Sequence, residues 1–201
     1  MLSFLNSTDV MLLELFNRSV ANPLFDILFP FITDPSNWFL PLIAFYIYLF
    51  RDDWRRALKA FLIAVVCIVL TDAVAAQIIK PVVGRIRPPH ELADLVRLLV
   101  GKGGIYSFPS NHAANSMAFA IITGFFYPKM RRWLLMIPIL VGFSRVYVGV
   151  HYPGDVIAGV FFGFMTANLV LHLYSLFVVN FSTIVKIPLF SGGTDSSNNN
   201  D

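Results

Sequence analysis

The chain has little charge and only one cysteine. Charged residues make up 13% of its 201 residues, against about 25% in a typical soluble domain. Apolar residues make up 57%, Phe alone supplies 20, and the mean hydropathy is +0.70. In water such a chain would expose sticky surface, so a bilayer is its natural solvent. The net charge is only +3, and the basic residues fall in short clusters between apolar runs. That excludes the broad basic face of a nucleic-acid binder. Cys67 stands alone in an apolar run, which rules out an intrachain disulfide and offers no metal-ligand cluster. The first 17 residues hold no Lys or Arg, so a cleaved signal peptide is not expected.

What the chain does have is apolar sequence in blocks. Five runs stand out: Ser36–Phe50, Ala60–Ile79, Asn111–Tyr127, Trp133–Val150 and Val156–Val179. About 20 residues of helix span the hydrocarbon core; the second and fifth runs reach that length, and the first falls furthest short. Residues before Ser36 are broken by Asp9, Glu14, Arg18, Asp26 and Asp34 and by Pro23 and Pro30. They read as one or two interfacial helices, with a sixth span as the alternative. The expected fold is therefore all-α: a polytopic transmembrane helical bundle of five to six spans with an N-terminal interfacial helix or helices. Residues 1–190 form a single domain, followed by a disordered polar tail at 191–201.

Arg51, Arg55, Arg56 and Lys59 separate the first two runs, Lys129, Arg131 and Arg132 separate the third and fourth, and Lys186 follows the fifth. One side of the membrane would hold all of these, and the positive-inside rule makes it cytoplasmic. The opposite side carries Lys80, Arg85, Arg87, Arg97, Lys102 and Arg145, nearly as many. The asymmetry sharpens if some of these are reserved for an anion.

Three short motifs fall on that opposite side: Lys80-Pro-Val-Val-Gly-Arg-Ile-Arg87-Pro88, Pro109-Ser110-Asn111-His112, and Ser144-Arg145 followed by His151 and Asp155. Lys80, Arg87 and Arg145 all sit at span ends, where a cation is costly unless paired. Few acids are at hand on that side: Glu91, Asp94 and Asp155. A phosphate is the natural partner, because guanidinium binds its oxygens bidentately. Interfacial snorkelling would account for one or two such residues but not for three with histidines beside them. Ser110 precedes a span at the N-cap position and His112 falls in its first turn, where free backbone N–H groups bind anions. Pro153 suits the first turn of the last span, which puts His151 just before that helix and Asp155 inside it. Asp155 can then orient His151, leaving its other nitrogen to attack, while a protonated His112 serves as acid.

In this order and spacing, the motifs resemble the signature of the type-2 phosphatidic acid phosphatase superfamily: Lys, six residues, Arg-Pro; Pro-Ser-Gly-His; Ser-Arg, five residues, His, three residues, Asp. One specified position differs, Asn111 standing in place of Gly. The resemblance implies a metal-independent, cofactor-free hydrolase acting on lipid phosphates. In it His151 becomes a phosphohistidine, Asp155 orients it, and His112 protonates the leaving oxygen. Lys80, Arg87, Ser110, Asn111 and Arg145 hold the phosphoryl oxygens. It also implies a site facing the periplasm or exterior of a bacterial inner membrane. Undecaprenyl pyrophosphate and phosphatidylglycerol phosphate are the favoured substrates, with phosphatidic acid and lipid A 1-phosphate behind them. The partners expected are the bilayer and the lipid, not a nucleic acid. The competing readings are a phospho-head-group transferase on the same scaffold and a non-catalytic membrane transporter or scaffold.

Other residues invite separate expectations. Asp72, inside the second run, is expected to bond Asn115 or Ser116 of the next. His172 is expected to be packed and hydrogen-bonded, and His90 to be a solvated loop residue. Gly159 and Gly163 would permit close helix packing. Leu92, Leu95, Val96 and Leu99 have helical spacing and predict a short surface helix, a lid over the site.

Overall fold

A computed structural model describes the backbone of residues 2–185 and the side chains of residues 6–178. Among the described residues the regular structure is helical, apart from one isolated antiparallel bridge between Ile86 and Tyr106. In chain order the helices are α1 (Leu2–Glu14), α2 (Pro23–Thr33), α3 (Phe39–Val74), α4 (Lys80–Val83), α5 (Pro88–Glu91), α6 (Asn111–Phe126), α7 (Arg131–Leu134), α8 (Met136–Tyr147) and α9 (Pro153–Val185). The expected tail at 191–201, and Lys186 before it, lie outside the described residues.

Two helical stretches are long and apolar enough to cross a bilayer, Pro35–Val83 and Pro153–Val178. The first is two legs rather than one rod. Asp53 takes non-helical angles (φ −152°, ψ 97°), and its Oδ1 accepts the Arg56 N–H at 3.0 Å. It thus acts as the N-cap of the second leg. The basic cluster from Arg51 to Lys59 therefore lies on helix either side of a one-residue corner, where the composition suggested a loop.

Helix α6 is the centre of the bundle and packs on α3, α8 and α9. Its inward face is made of small residues, Ala113, Ala114, Ala118, Ala120 and Gly124, all buried. Small residues let helix backbones approach closely where no water drives them together. Gly159 and Gly163 complete the fit from α9. A Cβ on Gly159 would lie 2.5 Å from the Ser110 carbonyl oxygen, and one on Gly163 would collide with the Ala114 carbonyl.

Helices α1 and α2 cover the end of the bundle that carries the three motifs. Asn17 donates to the carbonyls of Arg97 (2.8 Å) and Tyr147 (2.7 Å). Asp26 accepts from Arg97 (2.6 Å) and from the Tyr147 hydroxyl (2.6 Å). Phe29 and Ile32 of α2 pack with Val141, Tyr147 and Val150.

Two expectations are corrected here. No helix forms across residues 92–100, which follow α5 as a turn and irregular backbone. Asn17 takes both the N–H and the carbonyl of Arg97, so those groups are not available to a helical ladder. Val96, Leu98 and Leu99 instead point into the apolar clusters beneath α1 and α2. His172 is not packed: it lies on an exposed face of α9.

Candidate active site

Backbone pairing assembles the three motifs. Helix α4 ends at Gly84 in the left-handed region (φ +64°), a conformation that glycine adopts without steric cost. The chain reverses there and runs alongside the segment that leads to the second motif: Arg87 N–H donates to Ile105 O at 2.9 Å and Ser107 N–H to Arg85 O at 2.8 Å. The second motif is tied to the third by Ser110 N–H, which donates to Asp155 O at 3.0 Å. The first turns of α6 and α9 therefore meet, and with them His112 and His151.

His151 is 1% exposed and Asp155 0%. The Nδ1 of His151 lies 3.5 Å from Asp155 Oδ2, near but long for a hydrogen bond. That oxygen accepts the Tyr152 N–H at 2.9 Å. The other, Oδ1, accepts from Arg85 at 2.9 Å, whose second nitrogen reaches Asp9 at 2.7 Å. Asp9 also accepts the Gly154 N–H at 2.7 Å, capping α9. The sequence had singled out neither Arg85 nor Asp9 for the site. Arg85 occupies an unspecified position of the first motif, and Asp9 lies 145 residues from its Gly154 partner; neither distance leaves a spacing signal.

Around the two histidines stand cations without countercharges. Lys80 Nζ donates to the carbonyl of Pro109 at 2.9 Å, Arg87 Nε to that of Tyr106 at 3.0 Å, and Arg145 to the Thr33 hydroxyl at 2.6 Å. Among the described residues none of these three has a carboxylate within 4.0 Å. The acids of this end are spent elsewhere: Asp26 on Arg97, Glu91 on the Tyr152 hydroxyl, and Asp9 and Asp155 on Arg85. Burial pushes the His151 imidazole well below its ordinary value, and Arg145, Arg87, Lys80 and His112 push it further the same way. The Arg87 guanidinium is likewise lowered, chiefly by burial.

Buried polar atoms normally have partners, yet four on the named site residues have none: Ser110 Oγ, Asn111 Oδ1, Arg145 Nε and His151 Nδ1. Ser110 is the N-cap of α6 but makes no side-chain capping bond. Its hydroxyl is thus left over, beside the free N–H groups of the first turn. Asn111 behaves differently. Its side chain turns away to Asp72, donating at 2.7 Å, so it can offer a phosphate only its backbone. Asp72 also accepts from Asn115 at 3.2 Å, while Ser116 bonds the Ala113 carbonyl instead. His90 is exposed, as expected, but sits on the short helix α5 rather than in a loop, near the Gly103 carbonyl.

A cavity of about 580 Å³ opens beside His112. Its wall is mostly apolar, Trp38, Phe45, Ile68, Phe119 and Val141 among its residues, and Asp72, Asn111 and Asn115 line it with the histidine.

The chain has counterparts among known proteins. The family model of the PAP2 superfamily matches residues 60–178. A lipid A 4'-phosphatase of Bacteroides thetaiotaomicron is 36% identical over 173 residues, 81% of this chain and 75% of that protein. A lipid A 4'-phosphatase of Porphyromonas gingivalis is 31% identical, over 78% of this chain and 69% of that one. The crystal structure of Aquifex aeolicus LpxE superposes with a TM-score of 0.61 at 26% identity, covering 81% of this chain and 93% of that one.

Proposed function

The chain belongs to the PAP2 superfamily, and from that premise we propose that it is an integral membrane phosphatase hydrolysing a lipid phosphate through a phosphohistidine at His151. One observation carries the reading. Lys80, Arg87 and Arg145 gather about two histidines with, among the described residues, no carboxylate within 4.0 Å of any of the three, and Ser110 and Arg145 hold hydrogen-bonding capacity in reserve. A phosphoryl group supplies the missing charge and acceptors together.

The chemistry runs in two displacements. Nε2 of neutral His151 attacks phosphorus while the bond from phosphorus to the lipid oxygen breaks, and protonated His112 gives that oxygen its proton. Asp155, facing Nδ1, offsets the positive charge of the phosphorylated imidazole. Neutral His112 then takes a proton from water as the water attacks phosphorus. The P–N bond breaks, phosphate leaves and His151 is neutral again. The cationic groups and the N–H groups of the first turn of α6 stabilise the charge on the equatorial oxygens in both steps.

The apolar cavity beside His112 is the place for the lipid's hydrocarbon, entered sideways from the bilayer. The relatives' names move a phosphorylated saccharolipid such as lipid A ahead of undecaprenyl pyrophosphate and phosphatidylglycerol phosphate. The two apolar stretches, the corner at Asp53 and the shorter α6 and α8 support five crossings, with α1 and α2 lying at the outer interface of a bacterial inner membrane. The test is phosphate release from detergent-solubilised protein on a panel of these lipids, with chelator present. Release that His151→Ala abolishes supports the proposal; release that survives the change defeats it.

A further inference from the structure

The cavity is largely apolar, Thr33 and Ser116 apart, until it meets His112. There Asp72, on the apolar leg of α3, is exposed to it. A carboxylate in such a helix is expensive and is kept for a reason. Two amides partly satisfy it, Asn111 at 2.7 Å and Asn115 at 3.2 Å, but both donate to the same oxygen, Oδ1. A carboxylate only accepts, so these bonds fix each amide with its nitrogen toward Asp72. The amide oxygens of Asn111 and Asn115 then point away from Asp72, and both are buried without a partner. The second oxygen of Asp72 is thus the acceptor left open to the cavity, while the two amide oxygens are covered by protein and the amide nitrogens hold the carboxylate in place. Among the described residues no donor is bonded to either amide oxygen. A hydrocarbon chain lying there would leave that carboxylate oxygen unpaired, a penalty that a donor removes.

We infer that Asp72, Asn111 and Asn115 form a specificity wall that recognises a hydroxyl or amide N–H carried by the lipid close to its scissile phosphate. This rests on the phosphatase reading above and names the class of lipid that the site prefers. Asn111 precedes His112 in the chain and lines the same cavity, so the donor must sit a few bonds from the phosphate. A hydroxyacyl amide on a phosphorylated sugar fits. A polyprenyl pyrophosphate, which carries only hydrocarbon beyond its phosphates, does not. A cationic head group is disfavoured by the neighbouring Lys80 and Arg145.

Two phosphomonoester lipids of matched chain length separate the ideas: ceramide 1-phosphate, which has an amide N–H and a hydroxyl near the phosphate, and phosphatidic acid, which has only esters. In mixed micelles the wild type should show a kcat/KM at least about tenfold higher on the ceramide lipid, the worth of one buried hydrogen bond. Asp72→Leu and Asn115→Leu should collapse that ratio toward one, mainly by lowering the ceramide arm. Asp72→Asn, which keeps the volume, should fall between. Thermal unfolding of each variant reports whether it folds. Equal rates on the two lipids in the wild type, or variants that lose both activities in proportion, overturn the wall. Absence of phosphate release from every lipid overturns the phosphatase reading and this inference with it.

Discussion

Arg85 donates to Asp155 across 2.9 Å, fastening the segment after α4 to the first turn of α9. The same guanidinium lies 4.0 Å over the ring of Tyr152. Asp155 is fully buried, and a lone buried carboxylate is costly, so Arg85 offsets part of that cost beside His151. Arg85→Ala should remove about 3–5 kcal/mol of stability, the usual cost of orphaning one partner of a buried pair. Turnover should fall with it. Arg85→Lys should recover part of both, since charge returns without the planar fork. Thermal unfolding in detergent and kcat, measured on both variants, check this.

Asp155→Asn should lower kcat by roughly 10²–10⁴ with a smaller effect on KM, as when a histidine loses its orienting acid. Steady-state phosphate release decides it. A KM effect without a kcat effect would assign Asp155 to binding.

Ser110→Ala offers a different signature. Its hydroxyl has no partner in the free protein, so the melting curve should shift by no more than about 0.5 kcal/mol. Affinity for vanadate, which imitates the five-coordinate phosphoryl group, should weaken about tenfold. A large stability loss with vanadate affinity intact would mean that Ser110 is an ordinary helix cap.

His151 sets a pH dependence. Burial, and then the cations around it, hold its imidazole well below its ordinary value of about 6.5. It therefore stays neutral and nucleophilic as pH falls through 6.5. The acid limb of kcat/KM belonging to this group should lie below pH 6.5. The same shift makes the fold lose stability as pH drops under about 6.5, because only the unfolded chain takes up the proton there. A pH–rate profile whose acid limb for this group centres at or above 6.5 would contradict the assignment.

Gly163→Ala should cost about 1–3 kcal/mol, since the new methyl meets the Ala114 carbonyl across the α6–α9 seam. Gly101→Ala is the control, with nothing within 4 Å of its added carbon. Unfolding midpoints of the two variants, compared in one detergent, give the answer.

The elements best read from the sequence are those governed by local rules. The start of α9 at Pro153 and the N-cap position of Ser110 follow from the chemistry of a helix's first turn. The Gly159/Gly163 seam follows from side-chain size. Asp72 found Asn115, as spacing on adjacent helices suggested, and also Asn111, which sequence had placed at the phosphate. What escaped was set by tertiary capture. Residues 92–100 had the period of a helix, but Asn17 takes the backbone of Arg97 and the apolar side chains find a core from irregular backbone. The acids counted on the motif end were too few, because Asp9 and Asp26 arrive from α1 and α2 and pair with Arg85 and Arg97. No periodicity announces pairs so far apart in the chain.

Helix α1 carries none of the three motifs, yet its Asp9 caps α9 and grips Arg85. Handling of the protein should respect that link. A change ahead of Asp9 that disturbs α1 would reach the Asp155 carboxylate through two bonds and register as sluggish enzyme, though every signature residue was intact.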